Sequence, residues 1–257
     1  VFYRYYATYN WLKKYVNPDI VAENILENEV FMDKYPKMFE KTLCDIVKTH
    51  KVSWDNVFLV KDCLRESIWR MSFYAGYKGT RDDRLDTFNK EIFRFTYVDL
   101  VPKLYNKYKF TTVSHPHLEA DDIIALMKNK IRVTNPFSKV TIITNDNDYI
   151  QLIDGNTYVI NLQGKEIKYR VGVSPDLYLK AKIIMGDKSD NIPCIMRKVG
   201  PKTAEKLAQD KANFDNFCEK YPDAKRQYEL NRLLIDLSLI PSNIKDGFME
   251  RIVTKHT

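Results

Sequence analysis

The chain has 257 residues, is 44% hydrophobic, and carries 41 Lys and Arg against 34 Asp and Glu, a formal net charge of +7. That length supports a buried core in one large domain, or one domain with a smaller lobe, and the basic excess favours an anionic partner. No apolar run reaches the length of a membrane span and no signal-peptide pattern opens the chain, so a soluble intracellular protein with no membrane partner is expected.

The four cysteines, Cys44, Cys63, Cys194 and Cys218, are widely spaced and suggest neither a zinc site nor a disulfide framework. Val1 is not a natural initiator and Phe2 to Tyr6 enters abruptly in hydrophobic sequence, so preceding residues are expected. The aromatic opening, Phe2 to Trp11, is expected to pack in a core. Asn17-Pro18-Asp19 supplies a turn, and helical apolar spacing continues to about Lys48 with a break near Pro36. Val57 to Val60 is a continuously apolar run that predicts a buried strand, with Asp62 at its C-terminal end.

From Arg81 to Lys109, Leu85, Phe88, Ile92 and Phe95 recur at spacings of three or four and predict an amphipathic helical segment. His115-Pro116-His117 is expected to be polar surface rather than a metal pair. Glu119 to Lys130 predicts a helix with acids in its first turn, where the macrodipole favours them. Lys139 to Thr144 predicts a second buried strand, and Thr157 to Leu162 with Glu166 to Val171 a hairpin. Ser174-Pro175 caps a helix that Gly186 ends, and Pro201 and Pro222 each open a further helix. Alternating strand and helix signals give an α/β class with a mostly parallel central sheet flanked by helices.

The acids fall at the ends of these elements. Glu119, Asp121 and Asp122 start a helix, Asp146 and Asp148 follow a strand, Asp187 and Asp190 follow the helix-stopping glycine, and Asp62 follows the first strand. In a parallel sheet the carboxyl ends of the strands share one edge, so Asp62, Asp146 and Asp148 should converge. Any one cluster is explained by capping; three clusters in one basic chain imply cations that offset the mutual repulsion. Oxygen ligands without thiolates select Mg²⁺ or Mn²⁺, and a pair of such ions suits in-line hydrolysis at phosphorus.

Five segments resemble the 5′ nuclease, or flap-endonuclease, family in their order and spacing: Lys61-Asp62, Tyr77 to Arg81, Leu118 to Asp122, Thr144 to Asp148, and Met185 to Pro193. Trp69-Arg70 and Tyr228 to Leu237 are similar to phage replicative members, including those called RNase H that remove RNA primers. The resemblance implies a nuclease core over about 1–172, a helical arch over about 78–110, and a helical C-terminal region over 173–257 with a duplex-binding helix-three-turn-helix near 175–208.

It implies that Asp62, Glu119, Asp121 and Asp122 surround a first metal, that Asp146 is shared, and that Asp148, Asp187 and Asp190 surround a second. Lys78 and Arg81 would contact the scissile phosphate, with Lys182 near the site, Tyr77 stacking on a base and Arg84 in the arch. Lys198, Gly200, Lys202 and Thr203 would hold duplex backbone, with K⁺ at that turn. The implied substrates are branched, nicked or flapped DNA and RNA:DNA duplex. The implied partners are a single-stranded-DNA-binding protein or other replication proteins, and the implied state is a monomer.

Two positions depart from the family. Its first-strand aspartate would precede Val1, so either a first strand is absent from the sequence or the protein works with one ligand fewer; the former is expected. The turn Ile192 to Gly200 is one residue longer than usual, with Cys194 and Lys198 in place of glycines that permit positive φ. A PIN-type ribonuclease and a non-catalytic binder of branched DNA remain the alternative functions.

Overall fold

The computed structural model describes residues 1–80, 88–168 and 173–253. The chain divides into two compact units, Val1–Leu59 with Asp82–Val113, and Val60–Arg81 with Ser114–Thr257. The core expected over 1–172 therefore contributes to both.

The first unit is built on aromatic side chains. Helix α1 (Phe2–Tyr15) presents Tyr5, Tyr9 and Leu12 to its interior, and α2 (Glu29–His50) presents Phe31 and Tyr35. The Tyr5 ring lies 4.7 Å from Phe88 and 5.7 Å from Phe31, in the edge-to-face arrangement that ring quadrupoles favour. Of the opening aromatics, Tyr5 and Tyr9 thus lie in a core, Tyr6 and Trp11 pack against it half-buried, and Phe2 is exposed. Asn28 caps α2 by accepting the Phe31 N–H at 2.9 Å.

The expected break near Pro36 does not occur, because α2 continues through it for 22 residues. A proline inside a helix costs about 3 kcal/mol, a penalty that burial of Phe31 and Tyr35 on either side of one turn offsets at about 1.5–3 kcal/mol each.

The segment after Phe88 is helical, as its apolar spacing predicts, but not uniformly: α3 (Glu91–Arg94) runs through a π-helical turn, Phe95–Leu100, into α4 (Val101–Tyr108). The π turn brings buried Thr96 to the Tyr35 hydroxyl at 2.7 Å. Leu85 and the rest of 81–87 lie outside the described residues.

In the second unit, α5 (Ala120–Thr134) and α6 (Pro175–Met185) match the expected helices, and Ser174 Oγ accepts the Leu177 N–H at 3.2 Å as the N-cap of α6. They are followed by α7 (Pro201–Gln209), α8 (Lys211–Lys220), α9 (Pro222–Ile235) and α10 (Ser242–Val253). No helix among the described residues is long and apolar enough to cross a membrane.

The strand signals are realised as β1 (Phe58–Val60), β2 (Thr111–Val113), β3 (Val140–Ile143) and β4 (Thr157–Ile160). They form two two-stranded sheets, β1 with β2 and β3 with β4, among the described residues. The second pair is parallel, with Val140 opposite Thr157 and Ile143 opposite Ile160. Strands of three or four residues supply short ladders, so helices dominate this α/β fold. The hairpin signal is seen as far as Lys168: Ile167 N–H bonds Val159 O at 2.7 Å around Gly164, whose φ is +79°.

Candidate metal centre

The acids named from sequence are brought together within the second unit. Glu119 is the N-cap of α5, and the carboxylate of Asp122, in the first turn, accepts the Glu119 N–H at 3.1 Å. Asp62, two residues past β1, accepts the Ala120 N–H at 2.8 Å, so this exposed carboxylate is tied to the same helix start. Asp146 follows β3 and accepts the Asp148 N–H at 2.9 Å.

The third cluster depends on Gly186, which leaves α6 at φ +71°. A Cβ there would sit 2.4 Å from the Pro193 carbonyl, so only glycine allows Asp187 and Ile192 to pair through both backbone groups at 2.9 and 2.7 Å. That closed turn carries Asp187 and Asp190.

Two groups of carboxylates result, Glu119 with Asp121 and Asp122, and Asp148 with Asp187 and Asp190, each offering oxygens within 4.8 Å of one another. Tyr77 joins them, donating from its hydroxyl to Glu119 Oε2 at 2.9 Å and to Asp190 Oδ2 at 3.2 Å. Asp62 and Asp146 stand outside both groups. They belong to the same electrostatic centre nonetheless: burial first, then the charges of Asp121, Asp62, Asp146 and Asp148, push the Tyr149 hydroxyl well above its ordinary value.

Cations are built into the site. The Lys78 ammonium pairs with Glu119 Oε1, and Lys182, only 7% exposed, pairs with Asp148 and with Asp187 Oδ2 at 2.9 Å. Burial and the neighbouring Asp121 raise Glu119 to about 7, against the pull of Lys78 and Arg70. Burial likewise raises Asp148 to about 6, while Asp187 is held below its ordinary value because Lys182 and the Ser189 donors outweigh its burial. The donor set fits hard divalent ions. The nearby Cys63 thiol is pushed up to about 12 by burial and the adjacent carboxylates.

Sequence reasoning placed Tyr77 on a substrate base; the structure buries it at 2% exposure, leaving no ring face for stacking. It also overlooked Arg70 as a site residue. Arg70 is 1% exposed and donates to both oxygens of Asp122 and to Glu119. Its signal was an arginine within Ile68-Trp69-Arg70-Met71, a charge in an apolar stretch that needs a buried partner.

His115 is buried against Phe248, with ring centroids 5.9 Å apart, and is not polar surface. Arg81 and Arg84 lie outside the described residues.

In the turn before α7, Lys198 adopts φ +74°, so this lysine takes the left-handed conformation expected of a glycine. Gly200 is the N-cap of α7, and Lys202 and Thr203 are exposed in its first turn.

A helical α/β unit with carboxylates gathered at strand and helix ends is the architecture of the metal-dependent 5′ nucleases. The chain belongs to the family described as the 5′-3′ exonuclease, N-terminal resolvase-like domain, which matches residues 11–177.

It is 28% identical over 245 residues to DNA polymerase I of Lactococcus lactis subsp. lactis (strain IL1403), covering 91% of this chain and 26% of that protein. It is 30% identical over 188 residues to the 5′-3′ exonuclease of Aquifex aeolicus (strain VF5), covering 66% of this chain and 62% of that one. The chain thus spans about a quarter of the polymerase relative and under two thirds of the exonuclease.

The fold is that of the bacteriophage T5 protein crystallised with metal ions, with a TM-score of 0.65 at 19% identity over 87% of this chain and 94% of that one. The T5 flap endonuclease in complex with DNA and metal ions gives 0.63, again at 19% identity, over 86% and 90%.

Proposed function

We propose that this chain is a divalent-metal-dependent 5′ nuclease that hydrolyses phosphodiester bonds of DNA or RNA:DNA near 5′ ends, acting on flapped, nicked or branched duplexes and on RNA primers. The observation that carries the reading is the convergence of two carboxylate groups, linked by Tyr77 and edged by Lys78 and Lys182, in one unit of a basic chain.

In this reading Glu119 and Asp121 hold one ion, Asp148, Asp187 and Asp190 hold another, Asp62 and Asp146 complete the set with Asp146 shared, and Asp122 stands behind the first. All donors are oxygens, which suits Mg²⁺ with Mn²⁺ as a substitute. Two such ions, when bound, supply an activated water and stabilise charge on the phosphoryl oxygens.

The chain's own residues bind and orient the substrate. Lys78 pairs with a carboxylate at the site, where its ammonium can shift to a phosphate oxygen once cations take over the acids, and Arg81 follows three residues later. Lys182 has the same choice of partners.

The N-terminus of α7, with Gly200, Lys202 and Thr203, would hold duplex backbone through N–H groups and the helix dipole, with Lys198 beside it and K⁺ at the turn. Residues 78–110, including Arg84, would form the arch over the 5′ strand, with 1–172 as the nuclease core and 173–257 as the duplex-gripping region. A monomer working alongside a single-stranded-DNA-binding protein or other replication proteins completes the reading.

The test is a 5′-labelled flap duplex incubated with the protein and Mg²⁺, beside single-stranded RNA. Cleavage near the flap junction that requires the metal and is lost in Asp146→Ala is expected. Preference for single-stranded RNA would favour a PIN-type ribonuclease instead, and salt-sensitive binding without turnover a non-catalytic binder.

A further inference from the structure

Asp122 lies in the first carboxylate group, yet both of its oxygens are already held by buried donors. Its Oδ2 accepts from Trp69 Nε1 at 2.9 Å, Arg70 Nη1 at 2.8 Å and the Glu119 N–H at 3.1 Å, and its Oδ1 accepts from Arg70 Nη2 at 2.7 Å. A carboxylate oxygen offers roughly two acceptor sites, so three donors saturate Oδ2, while Oδ1 is held by the guanidinium in a fully buried position.

The Arg70 guanidinium is engaged through all three of its nitrogens. Nη1 also reaches Glu119 Oε2 at 3.0 Å, and Nε donates to the Leu234 carbonyl at 2.8 Å. Leu234 lies in the last turn of α9, where carbonyls have no partner inside the helix. One planar fork therefore fixes the start of α5, the end of α9 and one oxygen of Glu119. With Oε2 held by Arg70 and Tyr77, Glu119 presents Oε1, the oxygen paired with Lys78.

We propose that Arg70 is a positioning residue that sets the divalent-cation affinity of Glu119 and Asp121, with Asp122 as its anionic anchor and not a ligand. The inference rests on the nuclease reading, since it specifies which acids of that site meet the ion. The fork matters: lysine is a point charge and cannot bridge both Asp122 oxygens while holding Glu119.

The test is Mn²⁺ binding to the full chain, followed by the loss of the free-ion paramagnetic signal, for wild type, Arg70→Lys, Asp122→Asn and Glu119→Gln, with the metal-free melting of each. Arg70→Lys and Asp122→Asn are expected to keep the wild-type number of ions and bind one of them about 10- to 100-fold more weakly. Glu119→Gln is expected to bind one ion fewer. Should Arg70→Lys fail to fold, the nearly isosteric Asp122→Asn decides alone.

Loss of an ion in Asp122→Asn would make Asp122 a ligand and overturn the inference, and so would wild-type affinity in the variants that fold. Either result leaves the nuclease reading intact, whereas a wild-type protein that takes up no Mn²⁺ overturns both.

Discussion

Lys182 carries an ammonium into a nearly closed environment that would by itself lower its pKa. Asp148 and Asp187 outweigh that burial and hold the lysine above its ordinary value, so it stays charged at neutral pH. Removing one partner of a buried pair leaves the other uncompensated, at about 3–5 kcal/mol. Lys182→Met is therefore expected to lower stability by about that much without divalent ions and by clearly less with Mg²⁺, because cations replace the lost charge. Thermal melting with and without Mg²⁺ checks this; an equal loss in both conditions would contradict it.

At this scale the acids were legible because each follows an element end that sequence marks with a glycine, a cap or an apolar run. Arg70, Tyr149 and the buried bridging role of Tyr77 were not, since Tyr77 reaches Glu119 across 42 residues of sequence and Arg70 reaches Leu234 across 164. No local pattern encodes those pairings.

Among the elements, α5, α6 and β3 were readable from capping residues and apolar runs. The passage of α2 through Pro36 and the π turn before α4 were not, because tertiary packing decides both. Two connections set the geometry of the site-bearing elements, and each makes a prediction.

The first is the turn at Gly186. Gly186→Ala places a Cβ against the Ile192 and Pro193 carbonyls at 2.5 and 2.4 Å in a left-handed conformation. It is expected to cost about 1–3 kcal/mol from the conformation alone, more from the clash, and to weaken Mn²⁺ binding by displacing Asp187 and Asp190. Unfolding by urea and a Mn²⁺ titration measure the two effects.

The second is Asp154, which ties α5 to the start of β4. It accepts from Lys128 at 2.8 Å, from Arg132 at 3.2 Å and from the Asn156 N–H at 2.9 Å. Burial opposes its charge, but these donors outweigh it and hold the carboxyl well below its ordinary value of 3.8. A depressed carboxylate contributes stability that is present above its unfolded pKa and is lost as pH falls through the folded one. Asp154→Asn should therefore melt lower than wild type at pH 7, by roughly 1–2 kcal/mol for a network partly open to solvent. The gap should close as the pH drops below 3.8. A gap that persists in acid would show that the charge is not what holds α5 to β4.

For the molecule as a whole, the chain is basic while its acidic centre lies within one of two compact units. The class of fold was legible because strand and helix signals alternate. The division into units was not, because Val60–Arg81 is separated from Ser114–Thr257 in sequence and joins it through contacts such as Trp69 with Asp122. Arg70 closes the same gap, bonding Glu119 on one side and Leu234 on the other.

In the proposed reaction this centre hydrolyses phosphodiesters only when divalent ions neutralise its acids. The most direct measurement is single-turnover cleavage of a 5′-labelled flap duplex by the wild type and by Asp148→Asn, each in Mg²⁺ and in chelator. 5′ products are expected from the wild type in Mg²⁺ alone and none above background in the other three reactions; cleavage that survives the chelator, or that Asp148→Asn carries out at the wild-type rate, would overturn a metal-dependent role for these acids.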